Sequence, residues 1–142
     1  MKSSSATKLS EIKREWHLVD VNEKILGRVA TEIALLLMGK SKANFVKNLD
    51  CGDYVVVVNA KKIKVTGNKE TQKKYFRHSG YPGGFKAEAF DKLLERKPEE
   101  VIRHAVSGML PQTKLKAQML KRLHVFAGEE HKFADKFKVE AK

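Results

Sequence analysis

The stretch "YVVVVNA", Tyr54 to Ala60, decides the fold. Four valines stand side by side with no polar residue between them, so a strand made here is apolar on both faces. A strand with one wet face alternates apolar and polar side chains, whereas a strand covered on both faces, as in a parallel sheet, does not. The segment upstream, "ILGRVATEIALLLMGK" (25–40), has a different period. Leu26, Val29, Ala30, Ile33, Ala34 and Leu37 fall three or four residues apart and form one apolar stripe on a helix. Gly39 suits the left-handed residue that ends such a helix. A helix followed by a doubly buried strand is the grammar of an α/β layer fold.

Working outward, "WHLVDV" (16–21) reads as a first strand. "KKIKVTGNK" (61–69) alternates Lys and apolar residues and predicts a half-exposed strand ending in a Gly-Asn turn. "KKYFRHSGYPGGFKAEAF" (73–90) is a Gly/Pro-rich excursion between two short extended pieces, and "FDKLLERK" (90–97) is a short helix. Pro98 opens the next helix at its favoured first position, with Glu99 and Glu100 in the first turn where the helix dipole favours anions. Gly108 is expected to close it, and "LHVF" (123–126) is a last strand. The chain reads as a single domain over 1–142: a flexible N-terminal tail at 1–12, an α/β core at 13–128 and a polar C-terminal tail at 129–142.

The 142 residues give room for one domain with a real core, and a hydrophobic content of 42% excludes a disordered polycation. The net charge of +12 points to a polyanionic partner, either nucleic acid or an anionic membrane surface. The longest apolar runs, 33–38 and 54–58, are too short to span a bilayer. The opening "MKSSSATKLSEIKREW" lacks the apolar stretch of a signal peptide, and its acids and few arginines argue against a transit peptide. The single cysteine, Cys51, excludes an intramolecular disulfide and fits a reducing, cytoplasmic compartment.

Catalytic motifs fail one by one. "GKS" at 39–41 resembles the end of a phosphate-cradling loop, but the glycine required five positions earlier is Ala34. The triplet also follows a helix C-terminus, where the dipole repels phosphate. Cys51 sits between Asp50 and Asp53, which raise rather than lower a thiol pKa. His17, His78, His104, His124 and His131 show no i, i+4 pair and no cysteine neighbour, so no zinc site is expected. No carboxylate pair sits in apolar context for general acid–base work. The expectation is no catalytic residue, no metal, no cofactor and no small-molecule substrate.

The cations are placed more tellingly. Lys61 to Lys86 holds eight Lys/Arg and one acid, Glu70, with Tyr75, Phe76, Tyr81 and Phe85 interleaved. Such a mixture suits phosphate contacts with stacking on bases. Lys69, Lys73, Lys74, Arg77, His78 and Tyr81 are the candidate RNA contacts here, while Phe76 and Phe85 are expected to pack in the core or loop. Lys40 and Lys42, beyond the first helix, either cap its carbonyls or meet RNA phosphates. "VSGMLPQTKLKAQMLKRLHVF" (106–126) contains no acid at all. On a helix starting near Leu115, Leu115, Met119 and Leu123 form an anchoring side. Lys114, Lys116, Lys121 and Arg122 are candidate RNA contacts, with Lys114, Lys121 and Arg122 expected to face outward. An ordinary surface helix would mix in Glu or Asp.

Five blocks, "LGRVATEIA", "GDYVVVVNAKKIKVTGNK", "YFRHSGYPGG", "KPEEVIRHAVSGMLP" and "LKRLHVFAGEEH", resemble in order and spacing the ribosomal protein L13 family of the bacterial large subunit, from about Trp16 to His131. The resemblance implies a three-layer α/β/α fold with a four-stranded, mostly parallel sheet and a protruding Gly/Pro-rich loop. It also implies binding to large-subunit ribosomal RNA in early assembly, beside neighbouring large-subunit ribosomal proteins. After Met-Leu-Pro the family usually continues with a Lys and then Leu-Gly-Arg. Here Gln112 and then Leu115-Lys116-Ala117 occupy those positions, so the glycine and arginine are absent and Lys116 restores part of the charge.

Two other classes compete. An enzyme on a doubly wound sheet would need glycines or acids at the strand ends, and "DVNEKILG" supplies no G-x-G-x-x-G. A membrane-surface protein would need a large apolar face opposite its cations, and the basic helix has too few apolar positions. The reading is an RNA-binding structural protein of the ribosome.

Overall fold

The structure is a computed structural model and describes residues 6–137. Of the two expected tails, residues 1–5 and 138–142 lie outside the described residues. In chain order the elements are β1 (Trp16–Asp20), α1 (Leu26–Met38), β2 (Tyr54–Val58), α2 (Lys69–Gln72), β3 (Lys74–His78), β4 (Phe85–Ala89), α3 (Phe90–Arg96), α4 (Pro98–Met109), α5 (Lys116–Lys121), β5 (Leu123–Val125) and α6 (Ala134–Phe137).

The valine run is the middle of the sheet. β1, β2 and β5 pair in the order β1-β2-β5, both ladders parallel, with Trp16 opposite Tyr54 and Val55 opposite Leu123. Val55, Val56 and Val57 are all fully buried, which explains the missing alternation. Val55 and Val57 turn to one face, where Val19, Val21 and Leu123 join the stripes of α1, α4 and α5 in one core. The α1 stripe is buried at every position read from the sequence. A side chain as large as Ile33 or Leu37, withdrawn entirely from water, contributes about 1.5–3 kcal/mol. Gly39 ends α1 at φ 76°, its N–H bonding the Leu35 carbonyl at 3.0 Å.

The opposite face is covered by rings. Trp16 stacks on Tyr54 with centroids 4.4 Å apart, and Phe133 lies 5.2 Å from Trp16 and 4.4 Å from His124. Phe137 meets the Trp16 edge at 6.4 Å. Residues 129–137, polar by composition, thus lay two phenylalanines on the sheet.

Three expectations need correction. Among the described residues the parallel sheet has three strands, not four. After β2, Asn59 turns to φ 63° and Ala60–Lys62 form a 3-10 turn, lifting the chain out of the sheet. What remains of the expected strand is one bridge, in which the Leu26 amide bonds the Lys64 carbonyl at 2.9 Å and the Lys64 amide bonds the Lys24 carbonyl at 3.0 Å. The second helical layer is, among the described residues, the ring cluster and the four-residue α6. Gly108 does not end α4, which runs to Met109; Leu110 is then extended, as the residue before Pro111 prefers.

β3 and β4 form a separate antiparallel hairpin, turned by the Gly/Pro-rich segment 79–84. It is tied to the core through α3. The Phe90 amide bonds the Lys73 carbonyl at 2.9 Å, and the Phe90 and Leu93 side chains are buried against α4 and the rest of the core.

Candidate nucleic-acid interface

The hairpin sorts its side chains by strand periodicity. The register pairs Phe76 with Ala87, His78 with Phe85 and Lys74 with Ala89, which places these six on one face. Tyr75, Arg77, Lys86 and Glu88 occupy the other. The second face turns toward α4: Tyr75 is half-buried with its ring 5.4 Å from His104, and a surface groove of about 730 Å³ runs between it and Arg96, Lys97 and Glu100. Glu88 is held by both Arg96 nitrogens, at 3.1 and 2.6 Å, and this pairing keeps its carboxyl below the ordinary range.

The first face turns to solvent, so Phe76 and Phe85 are not core residues as expected: they are 65% and 61% exposed. Alternation fixes that they share a face but not that this face is buried. The core contact of the hairpin is taken by Tyr75 instead. Lys74 and His78 are exposed beside the ring pair, Arg77 and Lys86 are exposed on the other face, and Tyr81, in the turn, is 76% exposed. The His78 Nδ1 accepts the Gly80 amide at 2.9 Å.

Below the hairpin, Lys69 on α2 is exposed and Lys73 is half-buried with its amine 5.4 Å from the Tyr75 ring centre. Both line a groove of about 480 Å³ shared with Arg28 and Met109. Arg28 is not among the expected contacts, because 41 positions of chain separate it from Lys69; only the fold brings them together.

The remaining candidates divide. Lys40, Lys114 and Lys121 are exposed, and Lys116 is half-buried with its amine 3.1 Å from Gln112 Oε1. Met119 is buried as expected and Leu115 packs against the core, while Leu123 is buried as the first residue of β5 rather than on the helix. Arg122 corrects the outward assignment: it is buried at 7% exposure. Its guanidinium grips both Asp50 oxygens, and its nitrogens also donate to the Leu37 carbonyl at 3.1 Å and the Asp53 carbonyl at 3.2 Å. It therefore satisfies an orphan carbonyl at the end of α1. Lys42 is neither helix cap nor free cation, since its amine binds the Asp53 carboxylate and the Lys13 carbonyl.

Around this junction Arg14 donates to the Gly52 carbonyl at 2.6 Å and the Asp50 carbonyl at 3.0 Å. Gly52 is obligatory: a Cβ there would sit 1.6 Å from the Leu37 oxygen. Asp53 also accepts the Glu15 amide at 3.1 Å and lies 2.9 Å from His17 Nε2. Burial pushes the Asp53 carboxyl up, but Lys42, the Glu15 amide and His17 together outweigh it and hold it below its ordinary value. Glu15, His17 and Asp53 bring possible metal-ligating atoms within 4.8 Å of one another. With the Lys42 ammonium already on Asp53, the geometry is that of an ion-pair junction.

Comparison with known proteins places this arrangement. The family model described as Ribosomal protein L13 matches residues 14–132. The chain is 58% identical over 127 residues to the large ribosomal subunit protein uL13 of Dehalococcoides mccartyi strain 195, covering 89% of each chain. It is 53% identical over 131 residues to the protein of the same name from Geobacter sulfurreducens, covering 92% of each. The chain belongs to the ribosomal protein L13 family.

Membership makes it a structural protein of translation and not an enzyme, and its place is the ribosome, in the cytoplasm. The family match includes both the hairpin and the buried junction. No helix among the described residues is long and apolar enough to cross a membrane.

Proposed function

We infer that this protein is a structural constituent of the large ribosomal subunit, binding large-subunit ribosomal RNA and supporting early subunit assembly beside neighbouring ribosomal proteins. The observation that carries the RNA contact is the solvent face of the hairpin, where Lys74 and His78 flank exposed rings and no acid is present. Lys40, Lys69, Lys114 and Lys121 extend the cationic surface, with Lys73, Lys116 and Tyr81 as nearer supports. Arg122 and Lys42 are assigned to the fold instead, because their charges are matched internally. The relatives' designation as large-subunit proteins supports the assignment to that subunit.

The test is filter binding of the full chain to a transcript of large-subunit ribosomal RNA across a range of salt. If Lys40, Lys69, Lys74, Arg77, Lys114 and Lys121 each neutralise one phosphate, log K falls against log salt with a slope of about −4 to −5. A slope near zero contradicts the reading.

A further inference from the structure

The exposed ring pair has no structural role that accounts for it. Phe76 and Phe85 lie with centroids 5.5 Å apart and planes 22° from parallel, on a face whose other members are Lys74, His78, Ala87 and Ala89. Two large apolar side chains left more than half in water, side by side, mark a contact surface. Its chemistry selects the occupant. The apolar part is only two rings and two alanines wide, too little for the core of a protein interface, and Lys74 and His78 border it with no acid on the same face. Aromatic rings framed by cations match a nucleobase with its flanking phosphates.

We propose that the Phe76–Phe85 pair is a stacking platform for an unpaired base of ribosomal RNA, with the adjoining phosphates passing Lys74 and His78 on the same face. This rests on the RNA-binding reading above and adds what that reading lacks, a site for a base rather than for the backbone. A paired helix hides its base faces, so the RNA segment here is a loop, bulge or single strand.

The experiment uses the full chain and a transcript of large-subunit ribosomal RNA. The double variant Phe76→Leu with Phe85→Leu keeps the surface apolar and removes both ring faces. Its affinity is expected to fall about 5- to 100-fold with the salt slope unchanged, because stacking releases no counterions. Phe76→Tyr with Phe85→Tyr keeps the rings and is expected to bind like the parent. Ultraviolet irradiation of the unsubstituted complex is expected to give a nucleotide adduct on Phe76 or Phe85, a readout independent of any variant's folding.

If the Leu variant binds like the parent while Lys74→Gln with Lys86→Gln weakens binding and flattens the slope, the platform is refuted and the RNA reading stands. If neither variant changes binding, the hairpin is not an RNA site at all. If the Leu variant binds the transcript normally but is lost from assembled large subunits, the rings dock on a protein and the proposal is wrong.

Discussion

Arg122 and Arg77 are the same residue type, 45 positions apart, with opposite fates. Arg122 lies in a junction where cations and acids pair: Asp50 with Arg122 and Asp53 with Lys42. Arg77 stands on a hairpin whose register sets it opposite another cation, Lys86. Like charges opposed across a ladder are unfavourable within the isolated fold. The junction thus uses its cations to hold the chain together, while the hairpin leaves its cations and its two phenylalanine rings exposed. A cation count cannot separate the two; the placement of Asp50 and Asp53 does.

The sharpest way to break the comparison is at the junction. Gly52→Ala puts a methyl on the Leu37 carbonyl and beside the Arg122 guanidinium, at 1.6 and 2.7 Å, so the backbone must move. We expect a loss above about 4 kcal/mol, read by urea unfolding, and a variant within 1 kcal/mol of the parent would contradict the packing described. Arg122→Ala leaves Asp50 buried without its main partner and should cost about 3–5 kcal/mol. Its salt slope for RNA binding, corrected for folded fraction, should match the parent. A flatter slope would show that Arg122 reaches RNA after all.

Met119→Ala opens a void beneath α5 and should cost about 2–4 kcal/mol by thermal or urea unfolding. An unchanged midpoint would mean α5 is not anchored there.

Acid probes both faces of the sheet. Burial among the rings, with Arg103 second, lowers the His124 pKa, and Asp53 is lowered in its ion-paired setting. A group whose pKa is depressed by folding stabilises the fold above its unfolded value, and that contribution is lost as pH falls through the folded value. Melting temperature should therefore begin to fall below the ordinary histidine value of 6.5 and fall further below the ordinary aspartate value of 3.8. A stability maximum near pH 5 would reverse the sign.

The smallest stability effect is expected on the hairpin. Replacing Lys74, Arg77 and Lys86 together by Gln should change stability by less than about 0.5 kcal/mol, since exposed charges contribute little. The same variant should flatten the RNA salt slope by about two to three units, near one per lost phosphate contact. A melting loss comparable to that of Arg122→Ala would erase the contrast between the two regions.

What the sequence conveys depends on how far apart the deciding residues lie. The α1 stripe, the valine strand, the helix opened by Pro98 and the hairpin around "SGYPGG" are local patterns, and all appear in the structure. Arg122 was misplaced because its partner is 72 residues away, and helical spacing around Met119 says nothing about Asp50. Phe76 and Phe85 were misplaced because period two sorts faces without saying which one is wet. The expected fourth strand reduces to one bridge because the 3-10 turn at Ala60–Lys62 lifts the chain out of the sheet just ahead of the Lys-apolar alternation.

The junction also sets an order on biosynthesis. A chain leaving the ribosome exposes Asp50 long before Arg122, and 72 residues of synthesis separate them. At about 5–20 residues per second, Asp50 waits about 4 to 14 s for its main counter-ion. β2 waits as well, since its second neighbour, β5, begins one residue after Arg122. The nascent protein therefore carries a valine strand with one open edge and an acid met by Arg14 alone, and both are completed by the same few residues, Arg122 to Val125. The main ion pair of the junction and the last ladder of the sheet therefore both await the arrival of Arg122 and Leu123.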